Sequence, residues 1–245
     1  MSGDGPILVF LGPTLPVAKA ADVIDAVFLR PVAQGDVLLA AHAFRPRAMV
    51  LIDGHFEDRP AVRHKEILWA MAQGITVIGA ASMGALRAAE LYPFGMIGVG
   101  LIYRWYRRWP LAPDDAVAVH SAPPELGFLP LTDSMVDLQR TFSGLMRSKR
   151  ISPEERDRLT RTAGNMSFRD RSLDAVLGAV EWPADSRPLS SKEMVRQKQR
   201  DALLALHMAP GLVRPPARRP WVATNTFIRD LIAGGIDIDL LNTYA

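Results

Sequence analysis

The residues most able to do chemistry cluster in Gly79-Ala80-Ala81-Ser82-Met83-Gly84. A β-branched apolar run, Ile75-Thr76-Val77-Ile78, precedes them, and Ala/Leu-rich sequence at helical spacing follows through Leu91. The pattern predicts a strand, a tight turn and a helix, with Ser82 at the turn. The first N–H groups of that helix, from Met83, Gly84 and Ala85, have no intrahelical partner and lie at the positive end of the helix dipole. A serine oxygen beside free N–H donors is the arrangement of an acyl-transfer nucleophile with an oxyanion hole. Gly84 would leave room for a ligand to approach the backbone. Two other readings fit the same residues: Ser82 as an ordinary N-cap, and the helix start as a phosphate site. The spacing is Gly-x-x-Ser-x-Gly, not the Gly-x-Ser-x-Gly of the hydrolase elbow.

A nucleophilic serine needs a base. Residues 1–140 hold only two lysines, Lys19 and Lys65, against ten arginines. A lysine can give up its proton where an arginine cannot. Lys65, in His64-Lys65-Glu66-Ile67-Leu68-Trp69-Ala70, is a candidate if it projects toward Ser82. It could equally be a solvated helix lysine paired with Glu66 or Glu57. His64 and His55 are further candidate bases. The five histidines show no metal-ligand spacing, so no metal site is expected.

These residues need a scaffold. Apolar runs at residues 7–11, 27–29, 48–52 and 76–78 read as strands, alternating with helical patterns at 17–26, 36–42 and 62–72. Strands that alternate with helices and are nearly continuous in apolar residues indicate a parallel sheet covered on both faces. The expected class is therefore α/β, a parallel sheet flanked by helices in Rossmann-like layers. Ligands in such sheets bind beyond the carboxyl ends of the strands. Gly12, Asp53 and Ser82 all fall there, so one edge could gather them.

The remainder reads as helical: an α/β core over residues 1–133 and a helical C-terminal region over 134–245. Helices are expected from Asp133 or Ser134 to about Lys149, from the capping box Ser152-Pro153-Glu154-Glu155, and from a second box, Ser190-Ser191-Lys192-Glu193, to about His207. Residues 210–220, rich in proline and arginine, read as an extended arm. A short helix and strand could follow over residues 225–241. Tyr103-Arg104-Trp105-Tyr106-Arg107-Arg108-Trp109 interleaves aromatics with arginines, which suits core packing, a protein interface or base stacking.

Composition narrows the function classes. With 49% hydrophobic residues the 245-residue chain can bury a sizeable core. There is no run long enough for a membrane span and no signal-peptide pattern, so a cytoplasmic protein is expected. The absence of cysteine excludes disulfides, thiolate metal sites and a cysteine nucleophile. Net charge is +3, divided between −2 over residues 1–140 (12 Lys/Arg, 14 Asp/Glu) and +5 over 141–245 (17 and 12). That imbalance is too weak to single out nucleic acid, and none is expected as a partner. No Gly-x-x-x-x-Gly-Lys-Ser/Thr occurs, and no cofactor is expected.

In several motifs the chain resembles the TfuA-like family. These are Phe10-Leu11-Gly12-Pro13-Thr14-Leu15-Pro16, Arg30-Pro31 with Gly35-Asp36, Ile52-Asp53-Gly54, His64 through Ala70, Gly79 through Leu91, Pro93-Phe94-Gly95-Met96 and Pro124-Glu125-Leu126-Gly127. The resemblance covers roughly residues 7–145. It implies a role in peptide backbone thioamidation beside a YcaO enzyme, which activates the peptide amide with ATP. The TfuA-like partner would release sulfide from a thiocarboxylated, ThiS-like sulfur carrier protein and help YcaO engage its peptide. The family's serine–lysine pair maps onto Ser82 and Lys65. Met83 and Gly84 would form the oxyanion site, with Asp53, Gly12 and His64 around the substrate. Ala81 departs from the pattern, standing where a second serine is expected. Two alternatives stay open: a noncatalytic adaptor that docks YcaO and peptide, and a phosphate- or nucleotide-binding α/β protein.

Overall fold

The computed structural model describes residues 5–56, 59–183 and 191–244. Five parallel strands form one sheet in the order β2-β1-β3-β4-β5: β1 (Ile7–Phe10), β2 (Val27–Leu29), β3 (Ala48–Leu51), β4 (Thr76–Ala80) and β5 (Ile97–Val99). The first four match the expected runs. The fifth lies in a stretch that shows no strand signal in sequence. Side chains alternate across the sheet. Leu8, Phe10, Met49, Leu51 and Val77 face one core. Ile7, Val9, Leu11, Val50, Ile52 and Ile78 face the other.

The crossovers α2 (Asp36–Phe44), α3 (His64–Ala72) and α4 (Met83–Leu91) cover the first face. The helix α1 (Val17–Ala21), shorter than the pattern predicts, lies on the second. After β5 come α5 (Gly100–Arg108), α6 (Met135–Arg147), α7 (Pro153–Gly164) and α8 (Leu173–Ala179), then α9 (Gln197–Leu212) and α10 (Asn225–Ala233). The long helix α9 returns to the sheet. Its Ala202, Ala205, Leu206 and Ala209 complete the second core over β3, β4 and β5.

The start signals read from sequence act as expected at two places. Ser134 Oγ accepts from the Asp137 N–H, and Ser152 and Glu155 exchange bonds in a capping box. The box proposed at Ser190 lies outside the described residues, as does Glu57, the suggested partner of Lys65. The expected strand near the C terminus does not form. Asp237 instead accepts from the Asp239 N–H and opens a 3-10 turn, Ile238–Leu241. No described helix is long and apolar enough to cross a membrane.

Candidate active site

The direction of winding reverses between β1 and β3, and in a doubly wound sheet the crevice at that reversal takes the ligand. Gly12 and Asp53 stand at the ends of those strands. Asp53 is buried, and its Oδ2 accepts from the N–H groups of Gly12 (2.9 Å) and Thr14 (3.0 Å) while Oδ1 accepts from the Thr14 hydroxyl (2.6 Å). The carboxylate therefore pins the loop after β1. Gly12 is not on the cavity wall; a Cβ there would meet Pro31 Cγ at 2.4 Å, so the glycine lets two strand-end loops close together.

Ser82 sits on a strained corner. Ala81 has φ +66°, and the Ser82 N–H donates to the Ala80 carbonyl at 2.8 Å, closing a γ-turn around a non-glycine residue. Such backbone costs about 1–3 kcal/mol and is held by its surroundings. Ser82 is the N-cap residue of α4, yet its side chain makes no capping bond. It faces a cavity instead, 7% exposed.

The donors at the start of α4 differ from expectation. The Ser82 carbonyl accepts from Ala85 N–H (2.9 Å) and Leu86 N–H (3.3 Å), and Gly84 N–H donates to the Ile52 carbonyl (3.2 Å). Gly84 thus docks α4 on the end of β3; its N–H is taken and no ligand has room there. Among the described residues the Met83 N–H has no acceptor. Neither has the Gly54 N–H, because the bridge from Gly54 to Val32 uses the Asp53 carbonyl and the His55 N–H. Gly54 lies against Met83: a Cβ on it would stand 2.9 Å from Met83 Cβ. Met83 and Gly54 are therefore neighbouring cavity-wall residues, one next to Ser82 in the chain, whose N–H groups could meet an oxyanion. One remaining donor on α4 is a poor match to the donor cluster a phosphate needs.

The cavity measures about 570 Å³. Its described charged lining is Arg30, Arg59, Arg169 and Lys198 against Asp53 alone, with His55 and His120 also on the wall. Phe56, Phe128 and Phe168 supply apolar surface.

Two further expected residues, besides Gly12 and Gly84, are also off the wall. Lys65 is exposed on the first turn of α3 and does not line the cavity. The inward arc of α3 is taken by Glu66, Ile67, Trp69 and Ala70, which turns Lys65 outward. His64 is likewise off the wall. Its Nε2 pairs with Glu90 Oε2 at 2.7 Å, beside Arg87, and ties α3 to α4.

The lysine that does reach the cavity is Lys198, on the first turn of α9 and 4% exposed. Its Nζ donates to the Val117 carbonyl at 2.8 Å, and its N–H to Asp137 Oδ1 at 3.1 Å. Burial pushes the amine below its ordinary value, against the pull of Asp53 and Asp137. A sequence signal for this existed. Lys198, Asp201, Ala202, Ala205, Leu206 and Ala209 fall at helical spacing on one stripe, so a lysine heads the apolar face.

Residues 53–172, about half of the 245, match the family described as TfuA-like protein. The chain belongs to the TfuA-like family. No curated protein matches it. The stretch that defines this TfuA-like protein holds Asp53, Lys65, Met83 and Ser82, whereas Gly12 and Lys198 lie outside it.

Proposed function

We propose that this TfuA-like protein is the sulfide-releasing hydrolase of a peptide backbone thioamidation system. Its substrate is the thiocarboxylated C terminus of a ThiS-like sulfur carrier, and the sulfide serves a YcaO partner that activates the peptide amide. The observation that carries this reading is Ser82, whose hydroxyl caps nothing and faces a cavity with a mainly cationic described lining. A thiocarboxylate is an anion on a protein tail, which suits both the charge and the position beyond the strand ends.

The chemistry is acyl transfer. Ser82 Oγ attacks the thiocarboxylate carbon, and the developing oxyanion takes hydrogen bonds from the N–H groups of Met83 and Gly54. The C–S bond breaks, and the serine proton leaves with sulfur as hydrosulfide. Water then hydrolyses the acyl-serine to the carrier carboxylate. The test is sulfide release from thiocarboxylated carrier by the purified protein. Release that stops in Ser82→Ala supports the reading; carrier or YcaO binding without release points to an adaptor.

A further inference from the structure

We infer that the pocket at the amino end of the sheet, walled by four arginines, binds a compact phosphate polyanion: pyrophosphate, tripolyphosphate or the phosphate chain of a nucleotide. The site is distinct from the cavity of Ser82 and does not rest on the hydrolase reading.

The first support is charge. The segments that lead into β1, β3 and β4 meet here, at the opposite end of the sheet from Ser82. With the chain that follows α9 they enclose about 350 Å³. Arg45, Arg47, Arg214 and Arg218 stand on the wall, and no acidic side chain is among its described lining. Like charges gathered around so small a volume repel one another. An anion of three or four charges offsets that repulsion, whereas a lone carboxylate leaves most of it in place. The planar fork of a guanidinium also matches phosphate oxygens two at a time.

The second support is how the wall is held. Arg47 donates from Nη1 to the Gly5 carbonyl at 3.2 Å, which uses one of its five donors. Among the described residues neither Arg47 nor Arg214 forms an ion pair. Arg45 closes α2 in left-handed backbone, φ +48°, and its guanidinium lies over the Tyr244 ring, 4.4 Å from the centroid. Burial pushes the Tyr244 phenol up, and Arg45 and Arg218 pull it back, so both guanidinium groups act on one spot.

The third support is what the ligand would join. Arg45 and Arg47 belong to the α/β core, whereas Arg214 and Arg218 are exposed on the proline-rich arm. The Arg214 N–H donates to Thr76 Oγ1 at 2.9 Å, and the Arg219 N–H to the Ala72 carbonyl at 2.8 Å. Between those two bonds the arm crosses Gly74, where a Cβ would stand 3.3 Å from Pro216 Cα. A polyanion seated between the two pairs of arginines ties the arm to the core.

The experiment measures binding of pyrophosphate, tripolyphosphate and ATP by calorimetry and thermal unfolding, with ionic strength held constant by sodium chloride. At 100-fold excess over Kd the melting temperature should rise by roughly 5–10 °C. Arg47→Gln and Arg214→Gln should each weaken binding at least about tenfold, as loss of a charge-assisted pair does. Circular dichroism follows the fold, and the exposed Arg214 is the variant least able to disturb it. Trypsin does not cut before proline, so among the arginines of the arm only Arg218 precedes a cleavable bond. Bound tripolyphosphate should slow cleavage there, read from release of residues 219–245. Pyrophosphate or tripolyphosphate binding as tightly as ATP identifies the phosphate chain alone as the ligand; ATP binding at least tenfold tighter than tripolyphosphate identifies a nucleotide. Stabilisation no greater than that by sodium chloride, parental affinity in the folded variants, or unslowed cleavage at saturating tripolyphosphate would each overturn the inference. So would hexaglutamate binding more tightly than tripolyphosphate, which would make the pocket a docking site for an acidic peptide.

Discussion

A methyl group on Gly84 would stand 1.7 Å from the carbonyl oxygen of Leu51. No side-chain adjustment relieves a clash with backbone, so α4 would have to lift from β3. Gly84→Ala should therefore destabilise by roughly 1–3 kcal/mol or more, as overpacking does. Gly144, inside α6, has nothing within 4 Å of its missing Cβ. Gly144→Ala should stabilise by about 0.5–1 kcal/mol through helix propensity. Urea unfolding of the two variants checks this pair, in which one chemical change acts with opposite sign.

Ser82→Ala should abolish sulfide release and leave the unfolding midpoint close to the parent. Loss of a serine cap normally costs about 1 kcal/mol, but this serine caps nothing. Lys65→Ala should release sulfide at close to the parental rate, since Lys65 is exposed and off the cavity wall. A Lys65 variant as inactive as Ser82→Ala would make Lys65 the partner of Ser82, as the family resemblance implies.

Glu66 gives stability a pH dependence. Its carboxyl is raised from 4.5 to about 7, first by burial and then by Asp36, against hydrogen bonds from Arg63, Gly35 and Val37. A folded value above the unfolded one means the fold holds the proton more tightly. The contribution is therefore complete below about pH 4.5 and is lost as pH rises through 7. Its full size is at most about 3 kcal/mol. Glu66→Gln stays neutral throughout. The stability of the parent relative to Glu66→Gln should fall by about 1–3 kcal/mol between pH 5 and pH 8, measured by urea titration at each pH. A constant difference would show that the carboxylate is already ionised in the fold at pH 5.

On α5, Ile102 and Tyr106 turn inward while Arg104, Arg107 and Arg108 are exposed. Arg107 lies over the Tyr92 ring at 4.2 Å, and Trp109 is 57% exposed just beyond. Arginine among large aromatics is a common composition for docking surfaces. Alanine at all three arginines should weaken binding of the carrier or YcaO without lowering the unfolding midpoint. Calorimetric titration with each partner checks it, and unchanged affinity for both removes the surface from consideration.

What the sequence revealed and what it hid divide along local and long-range lines. The runs around Val9, Val50 and Val77 announce buried strands through their own composition, and Ser152 with Glu155 announces a helix start. β5 is only Ile97-Gly98-Val99, bounded by glycine on one side and too short for a period to show; its pairing with Ile78, Gly79 and Ala80 defines it. Ser82 was legible because strand, turn and helix are contiguous around it. Gly84 was misread because its N–H is claimed by Ile52, 32 residues earlier in the chain. Lys65 drew attention by lying near Ser82 in sequence, whereas Lys198 comes 116 residues after Ser82 and meets its cavity only through the return of α9.

That return sets an order of events during synthesis. Until α9 has left the ribosome, Val9, Val50, Ile52 and Ile78 present an apolar sheet face with α1 alone to shelter it. The contact that covers the face also brings the Lys198 amine to the cavity wall. A chain clipped before α9 would bare that apolar face and open the cavity wall together, so shelter of the sheet and completion of the cavity depend on one docking step.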